Sequence, residues 1–178
     1  MILLDANLLL YAYHPRAEQH EKSRAWLEEV ISGRDLVRFA WLTLWAFLRV
    51  ATNPRVFDRP LSTSEAEAAI SSWLAQPAAG ILEPGERHWD LLRGLVRDGQ
   101  TAEALVMDAV LAAIALEHRA RLCTTDGDFS RLSGLRWEKP ARRAQVTRRR
   151  REDGPNDPRG NRDRCRASCA EPLGERLV

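Results

Sequence analysis

Residues 104–129 read ALVMDAVLAAIALEHRARLCTTDGDF. From Ala104 to His118 almost every side chain is apolar, so the spacing predicts a helix buried on most of its sides. Arg121–Thr125 follows at once with the short apolar pattern of a strand, and Asp126-Gly127-Asp128 ends it. Asp108 and Asp126 therefore sit in a segment that otherwise avoids water. The first residues, MILLDANLLLYAYHP, pose the same problem. Met1–Leu4 suits a fully buried strand, and Asp5 closes it. No basic residue stands near Asp5 in sequence; the first are Arg16 and Lys22. A carboxylate at the end of a buried strand is costly unless something cationic meets it.

Working outward from these two stretches, strands and helices alternate. Leu8–Tyr13 reads as the first turns of a helix that Pro15 breaks. Glu18–Ile31 is amphipathic, with Ala25, Trp26, Val30 and Ile31 among charges, and Ser32-Gly33 ends it. Leu36–Ala40 suits a second strand and Trp41–Thr52 a helix that stops before Asn53-Pro54. Ser62 or Thr63 caps a helix through Trp73, with Glu65 and Glu67 near its positive end. Gly80–Leu82 suits a short strand, His88–Arg97 a helix, and Leu135–Trp137 a last edge strand. Alternation of this kind predicts an α/β fold, a parallel sheet with helices on both faces.

Composition is that of a globular chain: 178 residues, 44% hydrophobic and 29% charged. No apolar run reaches the length of a membrane span. The opening lacks a basic n-region and carries Asp5 inside what would be the apolar core of a signal peptide. A soluble, cytoplasmic protein is expected. Three cysteines argue against a disulfide framework. Cys123 falls in a strand pattern, while Cys165 and Cys169 lie in an Arg-rich stretch with no histidine near. The net charge of +2 hides an asymmetry. Residues 141–178 hold 11 Arg and 6 acids, a balance of +5, which leaves 16 basic and 19 acidic residues, −3, for residues 1–140. From Pro140 onward hydrophobic periodicity disappears and the composition becomes that of a disordered segment. The expected division is thus a domain over 1–139 and an Arg/Pro-rich tail over 140–178. The tail reads either as a natural basic extension or as translated sequence past a lost stop or frameshift, the second being favoured.

In an open parallel sheet, groups at the carboxyl ends of strands face the crevice where ligands bind. If their strands are central, Asp5 and Asp126 converge there, and Asp108 avoids burial only by pointing at the same crevice. Three carboxylates together repel, and their pKa values rise unless a cation sits among them. A hard divalent ion with oxygen ligands resolves this; Mg²⁺ suits a small cluster with open water positions, and Mn²⁺ is the alternative. Each acid also has a plainer reading. Asp5 caps the following helix, Asp126 opens an Asp-Gly turn, Asp108 faces a solvent gap, and Asp128 caps the short helix from Phe129.

MILLDANLLLYA, TLWAFLRVATNPRVF and LVMDAVLAAIALEHRARLCTTDGDFSRLSGLRW together resemble a PIN-domain ribonuclease, and more narrowly the VapC toxins of VapBC toxin–antitoxin pairs. The resemblance covers residues 1 to about 139. It implies a three-layer α/β/α sandwich on a parallel sheet and Mg²⁺-dependent RNA cleavage by clustered acids, leaving a 5′ phosphate. Carried over, Asp5, Asp108 and Asp126 match the catalytic, metal-binding acids. Asn7 and Thr125 are expected to orient those carboxylates. Many family members carry a further glutamate on the helix after the second strand, where Ala46 stands here; Asp128 or Glu103 would have to replace it.

Arg49 and Arg55, flanking the Asn53-Pro54 turn, are the expected RNA-binding residues. Trp41, Trp45, Phe47 and Leu48 give one helix more apolar surface than a single face needs, which suits a homodimer or a VapB-like antitoxin, and the resemblance implies both. Two readings compete with the nuclease. One is a catalytically inactive PIN-like module that binds RNA or protein, supported by Ala46. The other is a phosphatase using Asp5 as nucleophile, which would be expected to carry an aspartate where Asn7 stands.

Overall fold

The computed structural model describes residues 1–33, 35–98 and 105–140. Glu103 and the tail from residue 141, with Cys165 and Cys169, lie outside the described residues. Five short strands form one parallel sheet: β1 (Ile2–Leu4), β2 (Val37–Ala40), β3 (Ala79–Leu82), β4 (Arg121–Cys123) and β5 (Trp137–Glu138). Their spatial order is β3-β2-β1-β4-β5. The chain builds outward from β1 to β3 on one side, then returns to place β4 against the other side of β1. The strand order thus reverses between β1 and β4, which is where open α/β sheets bind ligands.

Side chains alternate across the sheet, as a strand's period of two requires. Ile2, Leu4, Val37, Phe39 and Cys123 point to one face, and Leu3, Ala40 and Leu122 to the other. The first face is covered by α1 (Ala6–Tyr13), α2 (His20–Ile31), α3 (Trp41–Ala51) and α4 (Thr63–Leu74). Leu8, Leu27, Phe47 and Trp73 fill that layer. The second face is covered by α5 (His88–Asp98) and α6 (Val106–Glu117), through Leu95 and the Leu111–Ala115 run. The result is the expected α/β/α sandwich with a core on each side of the sheet. No helix among the described residues is long and apolar enough to cross a membrane.

The ends of the helices follow from their sequences. Ser62 and Glu65 form a capping box at the start of α4: the Ser62 hydroxyl accepts the Glu65 amide, and Glu65 accepts the Ser62 amide. At the end of α6, Arg119 takes a positive φ of 53°. The Ala120 amide then donates to the Ala115 carbonyl and the Arg119 amide to Leu116, the pattern of a Schellman turn. That reversal delivers the chain into β4 at the edge where β1 begins. It also sends the first turn of α6, with Asp108, to the opposite edge, beyond the strands' carboxyl ends.

The apolar excess of α3 divides. Leu44 and Phe47 are buried and Leu48 is half-buried, whereas Trp41 and Trp45 are 41% and 64% exposed. Their rings stack with centroids 6.3 Å apart, and the Trp41 indole N–H donates to Glu83 at 3.0 Å.

Leu122, fully buried in β4, carries much of the packing between the sheet and α6. Leu122→Ala should lower stability by about 2–5 kcal/mol. Urea unfolding followed by circular dichroism will show this as a lower midpoint with an unchanged slope.

Candidate active site

The β1–β4 register pairs Leu3 with Leu122 and Leu4 with Cys123. One further step sets Asp5 opposite Thr124, and the Asp5 amide donates to the Cys123 carbonyl at 3.0 Å. By strand alternation both side chains turn to the α6 face. There the Thr124 hydroxyl donates to the Asp5 carboxylate at 2.7 Å. The same oxygen accepts the Asp126 amide at 3.0 Å, and the Asp126 carboxylate accepts the Asp128 amide at 2.9 Å. A continuous polar chain therefore runs Asp5–Thr124–Asp126–Asp128. It fixes the loop after β4 against the end of β1.

Asp5 is buried, at 8% exposure, and sits at the N-cap position of α1. It thus holds the cap place that one reading expected, but its carboxylate makes no capping hydrogen bond and instead accepts the Thr124 hydroxyl. Burial raises its pKa. The Thr124 hydroxyl and the nearby Ala6 and Asn7 amides work the other way, and the charge of Asp126 adds to the rise. Asp126 does open an Asx-type turn, as one reading expected, while also facing Asp5. Asp128 does not cap the short helix that follows. It is the first residue of that 3₁₀ turn, Asp128–Arg131, with Gly127 before it. The Asp128 carboxylate is exposed and lies 3.7 Å from Arg131.

Asp108 stands in the first turn of α6, where the helix dipole favours a negative charge. Its pKa is nevertheless pushed up to about 6, first by burial and then by Asp5, Asp126 and Asp128. Asp5, Asp126 and Asp128 thus bear on Asp108, and Asp126 on Asp5, at the edge where the strand order reverses. Among the described residues no three acidic, His or Cys side chains are gathered into a ready cage for one ion. The oxygen donors that could take part in holding a divalent ion are the carboxylates of Asp5, Asp108, Asp126 and Asp128, of which Asp5 is also bonded to Thr124.

The remaining predicted residues separate. Asn7 is half-buried at the start of α1, next to the Asp5 carboxylate. The hydroxyl that reaches Asp5 belongs to Thr124; Thr125 points to the other side of the strand and lines a cavity beside Leu8. Arg49 lies at the far end of α3. That helix starts near the site, where the Thr43 hydroxyl donates to the Leu4 carbonyl at 3.2 Å. Arg49 is six residues further, about 9 Å along the axis, and Arg55 follows the helix. Ala46, one turn beyond Thr43, is half-buried and brings no oxygen. Thr124 was the residue that sequence reading missed, and strand parity was the signal: it shares the face of Leu122 just as Asp5 shares that of Leu3.

A family model described as the PIN domain matches residues 2–135. Ribonuclease VapC37 of Mycobacterium tuberculosis is 44% identical over 140 residues, 79% of this chain and 97% of that protein. Ribonuclease VapC33 of the same organism is 39% identical over 142 residues, 80% of this chain and 99% of that protein. Among solved structures, VapBC2 from Rickettsia felis bound to promoter DNA aligns with a TM-score of 0.57 at 15% identity, covering 78% of this chain and 98% of that one. The M. tuberculosis sarcin–ricin loop cleaving toxin VapC20 aligns at 0.56 and 17% identity, covering 76% and 96%. At such identities the two structures speak for the fold.

The raised pKa of Asp108 has a stability consequence with a definite sign. The folded state holds this proton more tightly than the unfolded chain, whose carboxyl titrates near 3.8. The group's contribution is therefore most favourable below about pH 4 and is lost as pH rises through about 6. Asp108→Asn, which removes the repulsion, should raise the melting temperature in EDTA at pH 7.5 and leave it nearly unchanged at pH 4. Thermal melts of both proteins at the two pH values check this.

Proposed function

The chain belongs to the PIN-domain family, beside its VapC ribonucleases, and on that footing we propose that it is a metal-dependent endoribonuclease acting as the toxin of a type II toxin–antitoxin pair. One observation carries the reading: Asp5, Asp126 and Asp128 all press on Asp108 at the point where the strand order reverses. A cluster of mutually repelling acids in a ligand crevice is expensive for a folded protein unless it serves chemistry that brings a cation. The sequence relatives are ribonucleases by name, which agrees with that chemistry.

Asp5, Asp108 and Asp126 would hold Mg²⁺ or Mn²⁺, which when bound lowers the pKa of a water and offsets charge on a phosphodiester. The protein's own part is orientation. Thr124 fixes the Asp5 carboxylate through a 2.7 Å bond and ties the Asp126 loop to the same oxygen. Such supporting bonds typically matter 10- to 100-fold to metal affinity or activity. Asp128, whose charge also bears on Asp108, would take the place of the acid that Ala46 lacks.

The partners follow from exposed surface. Trp41 and Trp45 present stacked rings to solvent on α3. Large exposed aromatics of this kind anchor protein interfaces, and a second copy of the chain or a VapB-like antitoxin would cover them. Action on cytoplasmic RNA is part of the same reading. Ala46 and the absence of a closed three-ligand cage among the described residues favour one alternative, an inactive PIN-like module that binds RNA or protein.

Purified protein should cleave single-stranded RNA with Mg²⁺, lose activity in EDTA, and lose it with Asp5→Asn. Thr124→Val should cut the rate about 10- to 100-fold. Cleavage that survives both chelation and Asp5→Asn sinks the mechanism; RNA binding without any cleavage supports the module instead.

A further inference from the structure

The chain contains only two lysines, Lys22 and Lys139, 117 positions apart. The fold brings both to the wall of one cavity of about 270 Å³. Gln19, Ser23, Thr125 and Leu8 complete most of that wall. Two features decide what such a cavity can take. Both lysines are exposed, and among the described residues no ion pair neutralises either ammonium. Around them are amide and hydroxyl groups, from Gln19, Ser23 and Thr125, that can hydrogen-bond an oxyanion. One acid, Glu18, also lines the cavity, leaving its charge balance at +1. A larger cavity of about 460 Å³ lies elsewhere on α2, but its basic residue, Arg24, is already bonded to Glu28 at 3.0 Å.

The position of the small cavity matters as much as its chemistry. Thr125 is one residue from Asp126, about 3.8 Å between Cα atoms. The Lys139 ammonium reaches over the same loop: a Cβ placed on Gly127 would lie 3.8 Å from it. Its other side is 6.0 Å from the centre of the Trp137 ring, which limits where the ammonium can go. Alternation of the strand explains the arrangement. Thr124 faces the acids on the α6 side, and Thr125 lines the cavity on the α2 side with Lys22. The β4–β5 register sets Lys139 level with Thr124, so its ammonium stands over the Asp126–Asp128 loop beside Trp137, at the boundary between the acids and the cavity.

We propose that Lys22 and Lys139, with Thr125, form a subsite for a backbone phosphate of the RNA strand next to the one presented to the acidic centre. The inference rests on the ribonuclease reading for its substrate. It adds a cationic contact to those expected of Arg49 and Arg55. A strand crossing the Thr124–Gly127 loop would set one phosphate among the carboxylates and a neighbouring one between the lysines. The subsite thus acts on binding and register, not on the bond that breaks.

The test uses the full chain carrying Lys22→Ala and Lys139→Ala together, with the Lys→Arg pair as the charge-preserving control. RNA binding is measured in EDTA across a salt series, and cleavage with Mg²⁺ is measured on oligonucleotides bearing one neutral methylphosphonate at each position in turn. We expect the alanine pair to raise KM about 10-fold with kcat within about twofold. The salt dependence of binding should become shallower by about 0.7 in log–log slope, one phosphate's worth for a single strand. One methylphosphonate position should hinder the wild type and make no difference to the alanine pair, and the arginine pair should behave as wild type. If the wild type cleaves but the alanine pair shows the same KM, salt slope and methylphosphonate profile, the subsite is disproved while the nuclease reading stands. Loss of inorganic phosphate binding alone, or of an acidic peptide's binding alone, with RNA unaffected, equally overturns it. If the wild type does not cleave, the nuclease reading fails separately and the binding arm still decides the subsite.

Discussion

The pairing of β1 with β4 is the constraint from which the rest of the site follows. The two strands are 117 or more residues apart in sequence and meet with Leu3 against Leu122 and Leu4 against Cys123. Because the pairing is in register, the residue after each strand falls at the same level. Asp5 meets the Thr124 hydroxyl, and the Asp126 loop is hung from that oxygen. A slip of one residue would send Asp5 to the α1 face and bury a carboxylate among Leu8, Leu9 and Phe47. Ile2–Leu4 are apolar on both faces and would tolerate that slip, so the cost of burying the Asp5 carboxylate is what opposes it.

Holding these acids has a cost that the remainder of the fold must bear. Asp5 is buried and Asp108 half-buried, and each carries a raised pKa from desolvation and from its neighbours. Without a counter-ion the crevice opposes folding. Two full cores, one on each side of the sheet, supply the stabilisation that offsets it, and the α6 dipole and the Thr124 bond reduce it locally. Stability and site chemistry therefore pull in opposite directions at Asp108, as is common where function requires strain.

Most of the architecture was legible in the sequence because hydrophobic period is a local property. The buried α6 pattern, the β1 and β4 runs and the Ser62 cap could each be read from a few residues, and each element formed within two residues of its expected bounds. The placing of Asp5 and Asp126 at one edge of the sheet was legible one level higher, from the rule that parallel strands deliver their carboxyl ends to one edge. What was not legible depended on parity or on helix direction. Thr125 was expected to support the acids, yet alternation gives that place to Thr124. Lys22 and Lys139 carried no local signal at all, since neither belongs to a motif and only the fold makes them neighbours.

The division of labour across the β4 loop also bears on Ala46. An acid at that position would come from α3, on the side of the sheet that also holds Lys22 and Thr125. Its absence leaves the carboxylates concentrated on the α6 side, with Asp128 as the fourth. The single-strand substrate we propose would need two unlike environments in close succession: carboxylates to hold a cation against one phosphate, and cationic side chains to hold another. Placing both kinds of group in one crevice would let them pair with each other and cancel. Consecutive residues of an alternating strand face opposite ways, so Thr124 bonds Asp5 while Thr125 lines the cavity beside Lys22. On this proposal Ala46, which brings no oxygen, leaves the work of holding a cation to Asp5, Asp108 and Asp126, with Asp128 beside them.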